Sequence, residues 1–163
     1  MPAKPTVEVA IVILDRRWLE ALPRVRALVR RAATAAIEGA KPRLPIAGAG
    51  LAVALSDDRH VRQLNREHRG QDVPTNVLSY PADIVATRGM PRALGDVVLA
   101  LGTVRREARA QRKSLAHHVT HLVAHGTLHL LGHDHIDEPD AMAMERLERK
   151  ILAGLGIADP YAS

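Results

Sequence analysis

The 163-residue chain contains no cysteine and no phenylalanine. The first absence excludes disulfides and thiolate metal sites, so any bound metal must be held by histidine and carboxylate. The second, with one tryptophan (Trp18) and two tyrosines (Tyr80, Tyr161), leaves a core of aliphatic side chains. No apolar run approaches the roughly 20 residues needed to span a bilayer as a helix. The opening stretch MPAKPTVEVAIVILDRRW has one lysine and two prolines, an alternating apolar part and then an arginine pair. It lacks a small-residue cleavage site and reads as a strand rather than a signal peptide. A cytoplasmic location is the default expectation, with no membrane partner.

What is present suits a single domain over residues 1–163: the apolar fraction is 47%, enough for one core. The formal net charge is +5, from 23 basic and 18 acidic residues. Excess arginine favours a polyanionic partner, because each neutralised phosphate releases counterions, although a biased genome produces the same composition.

Along the chain, VEVAIVI (7–13) is β-branched and predicts a strand. From Trp18 the apolar positions Trp18, Leu22, Val25, Val29, Ala32 and Ala36 fall on one helix face, with Pro23 in the first turn of the main helix. KPRLPIAGAG (41–50) is a connection and LAVALS (51–56) a second strand. Asp57 or Ser56 caps a helix through DDRHVRQLNREH, with Val61 and Leu64 inward. RGQDVPT (69–75) is a loop, NVLSYP (76–81) a short strand, 82–94 another loop and GDVVLALG (95–102) a third clear strand. Thr103 is expected to cap a basic helix, TVRREARAQRKS. The next helix starts near Ser114 and ends at Gly132. The last starts after DEPD, with Met142, Met144, Leu147, Ile151 and Leu152 as its apolar stripe. This mixture without repeats predicts helices packed on a small sheet.

Seven of the nine histidines lie between residues 117 and 135. In HGTLHLLGHDH, His125 and His129 stand one helical turn apart and can put two imidazole nitrogens on one ion. Gly132 can take a positive φ and turn the chain back, bringing His135 in as a third ligand. Three histidines plus water describe an open, catalytic type of zinc site. An extended zinc peptidase has this spacing but carries Glu directly after the first histidine, where this chain has Gly126. His133 reads as a surface residue, with a fourth ligand as the alternative. Asp134 is a candidate to orient an imidazole. His121 is either a partner of a ligand or a proton carrier. His117 and His118 read as solvated. Met142 and Met144 echo the methionine turn of related peptidases, but core packing accounts for them.

HGTLHLLGHDH, LNREHRGQDVPTNVLSYP and LGDVVLA, in that order, resemble the three signature blocks of the YbeY endoribonucleases, bacterial rRNA maturation factors. The resemblance covers roughly residues 50 to 155. It implies an α+β fold: a single small mixed sheet flanked by helices, with a metzincin-like zinc-site helix. It also implies one zinc ion per chain on His125, His129 and His135, and cleavage of single-stranded RNA in maturation of the 3′ end of small-subunit (16S) rRNA and in ribosome quality control. Small-subunit rRNA and the ribosome or its proteins are then the expected partners. Arg69 matches the arginine that the family needs for activity.

The chemistry is consistent with this. RNA cleavage uses the 2′-hydroxyl or a metal-activated water, so the demand falls on stabilising phosphorane-like charge rather than on a glutamate base. The expected site is then Arg69, whose fork can hold two phosphate oxygens, His121 as the catalytic proton carrier, and Ser79 lining the cleft. Asn65, Asp72, Thr75 and Asn76 can all make side-chain turn or cap hydrogen bonds, and Thr75 and Asn76 are read as positioning the loop. Three histidines also suit nickel, copper or cobalt. A zinc-stapled, non-catalytic ribosome assembly factor and a zinc peptidase are the competing functions.

Overall fold

The structure, a computed structural model, describes residues 4–83, 88–133 and 137–161. Ten elements follow in chain order: β1 (Val7–Ile13), α1 (Arg17–Ala21), α2 (Val25–Ala40), β2 (Ala49–Ser56), α3 (Asp58–Arg69), β3 (Val77–Pro81), β4 (Arg92–Ala100), α4 (Leu101–Ala110), α5 (Leu115–Leu130) and α6 (Glu138–Gly154). The strands form one mixed sheet in the order β1-β2-β4-β3. β1, β2 and β4 run parallel, and β3 pairs antiparallel with β4. β3 lies at an edge, where its terminal Pro81 costs no ladder bond. The α+β expectation therefore holds.

α5 is the axis of the helical layer, packing on α2, α4, α6 and β3. That position explains its composition, since a helix enclosed on several sides must be apolar almost all round. Ser114 caps it by accepting from His117 N at 3.1 Å. Thr120 and Thr127 satisfy their hydroxyls by donating to Ala116 O and Val123 O, one turn back. The main core joins Val25, Val29 and Ala33 of α2 to Val53, Leu55, Val97 and Leu99 of the sheet and to Val119 and Val123 of α5. Each such side chain contributes about 1.5–3 kcal/mol when fully buried. Trp18 is fully buried beside them, and its indole N–H donates to Ser56 O at 2.8 Å.

Several local expectations are corrected. The apolar face from Trp18 to Ala36 is split between two helices, α1 and α2. β4 begins at Arg92, inside the expected loop, and ends at Ala100, so α4 starts before Thr103. Thr103 does not cap with its own side chain. Its N–H and hydroxyl both donate to Asp58 Oδ1, at 2.8 and 3.0 Å, so an aspartate from α3 serves the start of α4. α6 begins within DEPD, with Asp137 accepting from Asp140 N. Met144 is buried with Ala36, Ala124, Leu128 and Ile151, whereas Met142 is exposed. Asp57 does cap α3, accepting from His60 N at 2.8 Å. Among the described residues no helix is long and apolar enough to cross a membrane.

Candidate metal centre and its pocket

Two helix ends and a strand bound the site. α3 ends at Arg69 because Gly70 takes the left-handed conformation (φ 68°), and the chain after α5 turns at Gly132 (φ 92°). β3 lies beside α5 between them. Together they enclose a pocket of about 590 Å³ lined by Arg69, Asn76, Ser79, His125, His129 and His133, with Val77, Pro81 and Gly132. The structure thus brings Arg69, Ser79, His125 and His129 to one cavity. His135 and Asp134 lie outside the described residues.

On α5, His125 Nε2 stands 3.1 Å from His129 Nε2. Two nitrogens bound tetrahedrally at about 2.05 Å from one zinc ion would lie about 3.3 Å apart. The pair therefore has the spacing of two ligands on one ion.

The other edge of His125 was not anticipated from sequence. Its Nδ1 bonds to Glu148 Oε1, and Glu148 Oε2 is 3.0 Å from His121 Nε2. Tyr161 also donates its hydroxyl to Glu148. The carboxylate is fully buried on α6. Burial alone would raise its pKa, but hydrogen bonds from His121, His125 and Tyr161 outweigh that and hold it well below the usual carboxylate range. The same contact, added to burial, pushes the Tyr161 hydroxyl upward. A carboxylate on Nδ1 fixes the proton there and directs the Nε2 lone pair toward the cavity.

His121, His125 and Glu148 also form a group whose ligand atoms lie within 4.8 Å of one another, close enough to hold a metal ion. Two arrangements thus compete. Both oxygens of Glu148 already accept hydrogen bonds, and the pocket is lined by His125 and His129 but not by His121 or Glu148. We read the glutamate as the partner that orients His125, and the His125–His129 edge as the side facing an ion.

His121 lies one turn before His125, turned toward Glu148, and does not line the pocket. Its Nδ1 is buried without a hydrogen-bond partner among the described residues. His118 is 3% exposed, against the expectation of a solvated residue. Its Nε2 is 2.9 Å from Glu107 Oε1, and burial lowers its pKa despite that partner. Glu107 in turn accepts from Asn76 Nδ2 at 3.0 Å. A pocket-lining amide is thereby tied through α4 to α5.

Gly126 explains the missing glutamate. A Cβ there would meet Val97 Cγ1 at 2.8 Å, Ser79 Oγ at 3.1 Å and Val77 Cγ2 at 3.3 Å. β3 and β4 press against the helix where a peptidase base would stand. Ser79 secures the approach by donating its hydroxyl to Gly126 O at 3.1 Å.

Comparisons with known proteins show the family. The family model described as Endoribonuclease YbeY matches residues 7–156. A protein named Endoribonuclease YbeY from Azorhizobium caulinodans is 48% identical over 156 residues, covering 96% of this chain and 97% of its own. One of the same name from Paramagnetospirillum magneticum is 46% identical over 160 residues, 96% of each chain. Another, from Rhodopseudomonas palustris, is 48% identical over 162 residues, 98% of this chain and 83% of its own. The solution structure of TM1509 from Thermotoga maritima superposes with a TM-score of 0.51 at 19% identity, over 97% of this chain and all of that one, a likeness of fold.

Proposed function

The chain belongs to the YbeY endoribonuclease family, and from that premise we propose that it cuts single-stranded RNA with a metal ion held by His125, His129 and His135. The observation that carries this reading is the pocket in which Arg69 faces the cavity shared by His125 and His129. A bound zinc ion would supply Lewis acidity and lower the pKa of water toward about 7.

The protein's own groups do the rest. Arg69 holds two non-bridging phosphate oxygens with its planar fork and offsets the charge that builds at phosphorus. Glu148 holds His125 in one tautomer. Ser79 donates its hydroxyl hydrogen bond to Gly126 O, so it meets substrate as an acceptor, suited to a ribose hydroxyl. His121, the proton carrier expected from sequence, is turned to Glu148 and does not line the pocket, so the proton passes to water in the cavity and His121 holds Glu148 in place. The same reading takes small-subunit rRNA as substrate, in 3′-end maturation and ribosome quality control.

The test compares wild type, Arg69→Ala and His129→Ala on a single-stranded RNA. Arg69→Ala should fold and keep its metal yet lose about 10²–10³ in rate, as when one donor to a developing charge is removed. If Arg69→Ala cleaves normally, Arg69 is not the phosphate clamp. If metal-loaded wild type cleaves no RNA, a zinc-stapled assembly factor becomes the better reading. Products carrying only 5′-phosphates would exclude the 2′-hydroxyl as nucleophile.

A further inference from the structure

α3 carries Arg59, Arg62, Arg66 and Arg69 at steps of three, four and three. That spacing puts all four on one face. All are exposed. Arg59, Arg62 and Arg66 line a surface depression of about 480 Å³ with Gln63 and Asp72, while Arg69 opens into the metal pocket. Arg59 also lines the adjoining depression, where Arg17, Arg105 and Arg106 stand with Asp57 and Asp58. The stripe is a line of positive charge with one end at the candidate site.

Its pairing is uneven. Arg62 is bonded to both oxygens of Asp72, at 2.8 and 3.1 Å, and so ties the helix to the loop after it. Among the described residues neither Arg59 nor Arg66 has a carboxylate within ion-pair distance. Arg59 and Arg66 stand seven residues apart, about 10 Å along the helix, so each is a separate positive charge. A polyanion laid along the face meets both.

We propose that this stripe is a track for the backbone of the single-stranded RNA, guiding the strand that leads into the pocket. The proposal rests on the endoribonuclease reading above. From Arg59 to Arg69 the helix rises about 15 Å. At the stacked spacing of roughly 3.4 Å per nucleotide this spans about four phosphates, and fewer if the strand is extended. Contacts of this kind carry no sequence information and set register and salt dependence.

The test is the double variant Arg59→Gln/Arg66→Gln, leaving Arg62 and Arg69 in place. Binding of a 15-nucleotide single-stranded RNA is measured across a salt series. Loss of two phosphate contacts should reduce the slope of log K against log salt by about 1.4. Between 50 and 200 mM salt, wild type should then lose about sevenfold more affinity than the variant. Binding of a dinucleotide, too short to reach from the pocket along the helix to Arg59, should be unchanged. Arg59→Lys/Arg66→Lys should restore the slope, since lysine also displaces counterions. Any of these results overturns the track: an unchanged slope in the glutamine variant, an equal loss on the dinucleotide, or no rescue by lysine. An equal change on duplex RNA of the same length also overturns it, because the face would then be a general polyanion surface. If wild type neither binds nor cuts single-stranded RNA, the endoribonuclease reading fails and the track with it. If wild type does both and the double variant matches it, the track alone fails.

Discussion

Glu148 of α6 holds His125 of α5 by its Nδ1, and the opposite ring nitrogen of His125 stands 3.1 Å from His129 Nε2. A residue from the last helix thus sets the direction in which a candidate ligand on another helix points. Glu148→Gln replaces a charged acceptor by a neutral amide of the same shape. Zinc affinity should fall by about 10–100-fold, the usual cost of losing the partner that orients a ligand imidazole. Competition with a chromophoric chelator reads this directly. Unchanged affinity in a folded Glu148→Gln protein would reduce the glutamate to a packing role.

Metal content is a separate prediction. Protein purified without an affinity tag should carry about one zinc per chain, and His129→Ala should lose it, measured by elemental analysis. Two histidines on one ion cannot be replaced by one without a large loss of affinity. Full zinc occupancy in His129→Ala, with occupancy lost in Glu148→Ala, would favour the His121–His125–Glu148 arrangement instead.

The missing glutamate was legible only as an absence. HGTLHLLGHDH displays the ligand spacing, and the period of four along α5 needs no tertiary information. The reason for glycine does need it, because Val97, Ser79 and Val77 come from strands elsewhere in the chain. Gly126→Ala gains about 1 kcal/mol in helix propensity but must move Val97 in the core, and overpacking costs about 1–3 kcal/mol. A net loss of up to about 2 kcal/mol in urea unfolding is expected. Gly126→Glu should lose more and show no peptidase activity on casein. A stable Gly126→Glu protein would mean that β3 and β4 yield more readily than their packing implies.

Much of the rest was readable for a common reason. The strands, the Asp57 and Ser114 caps and the Gly132 turn are local features that the residues themselves dictate. Glu148 has a signal in the sequence: an acid four residues from both Met144 and Leu152, on the line of the apolar stripe. A charge there is stable only with buried partners, and the histidines supply them. His118 misled for the opposite reason. Its burial depends on α4, whose Glu107 meets its Nε2, and histidine spacing alone says nothing of a neighbouring helix. Asp58 belongs to the same class, a helix-start acid whose partners are on another helix.

That last residue has a pH signature. Burial pushes the Asp58 carboxyl up, but Arg106 and the two Thr103 donors outweigh it and leave it below the ordinary aspartate value. A depressed carboxylate stabilises the fold above its unfolded-state value, and the contribution is lost as pH falls through the folded-state value. Asp58→Asn can keep its Oδ1 as the acceptor for Thr103, but it removes the charge and the oxygen that accepts from Arg106. The side chain is 28% exposed, so the pair is worth about 0.5–1 kcal/mol at most. Wild type should therefore exceed Asp58→Asn in stability by that margin at neutral pH. The gap should begin to close as pH falls below 3.8 and vanish at lower pH. Denaturant titrations of both proteins across that window measure it, and a gap independent of pH would assign the effect of Asp58 to hydrogen-bond geometry rather than to its charge.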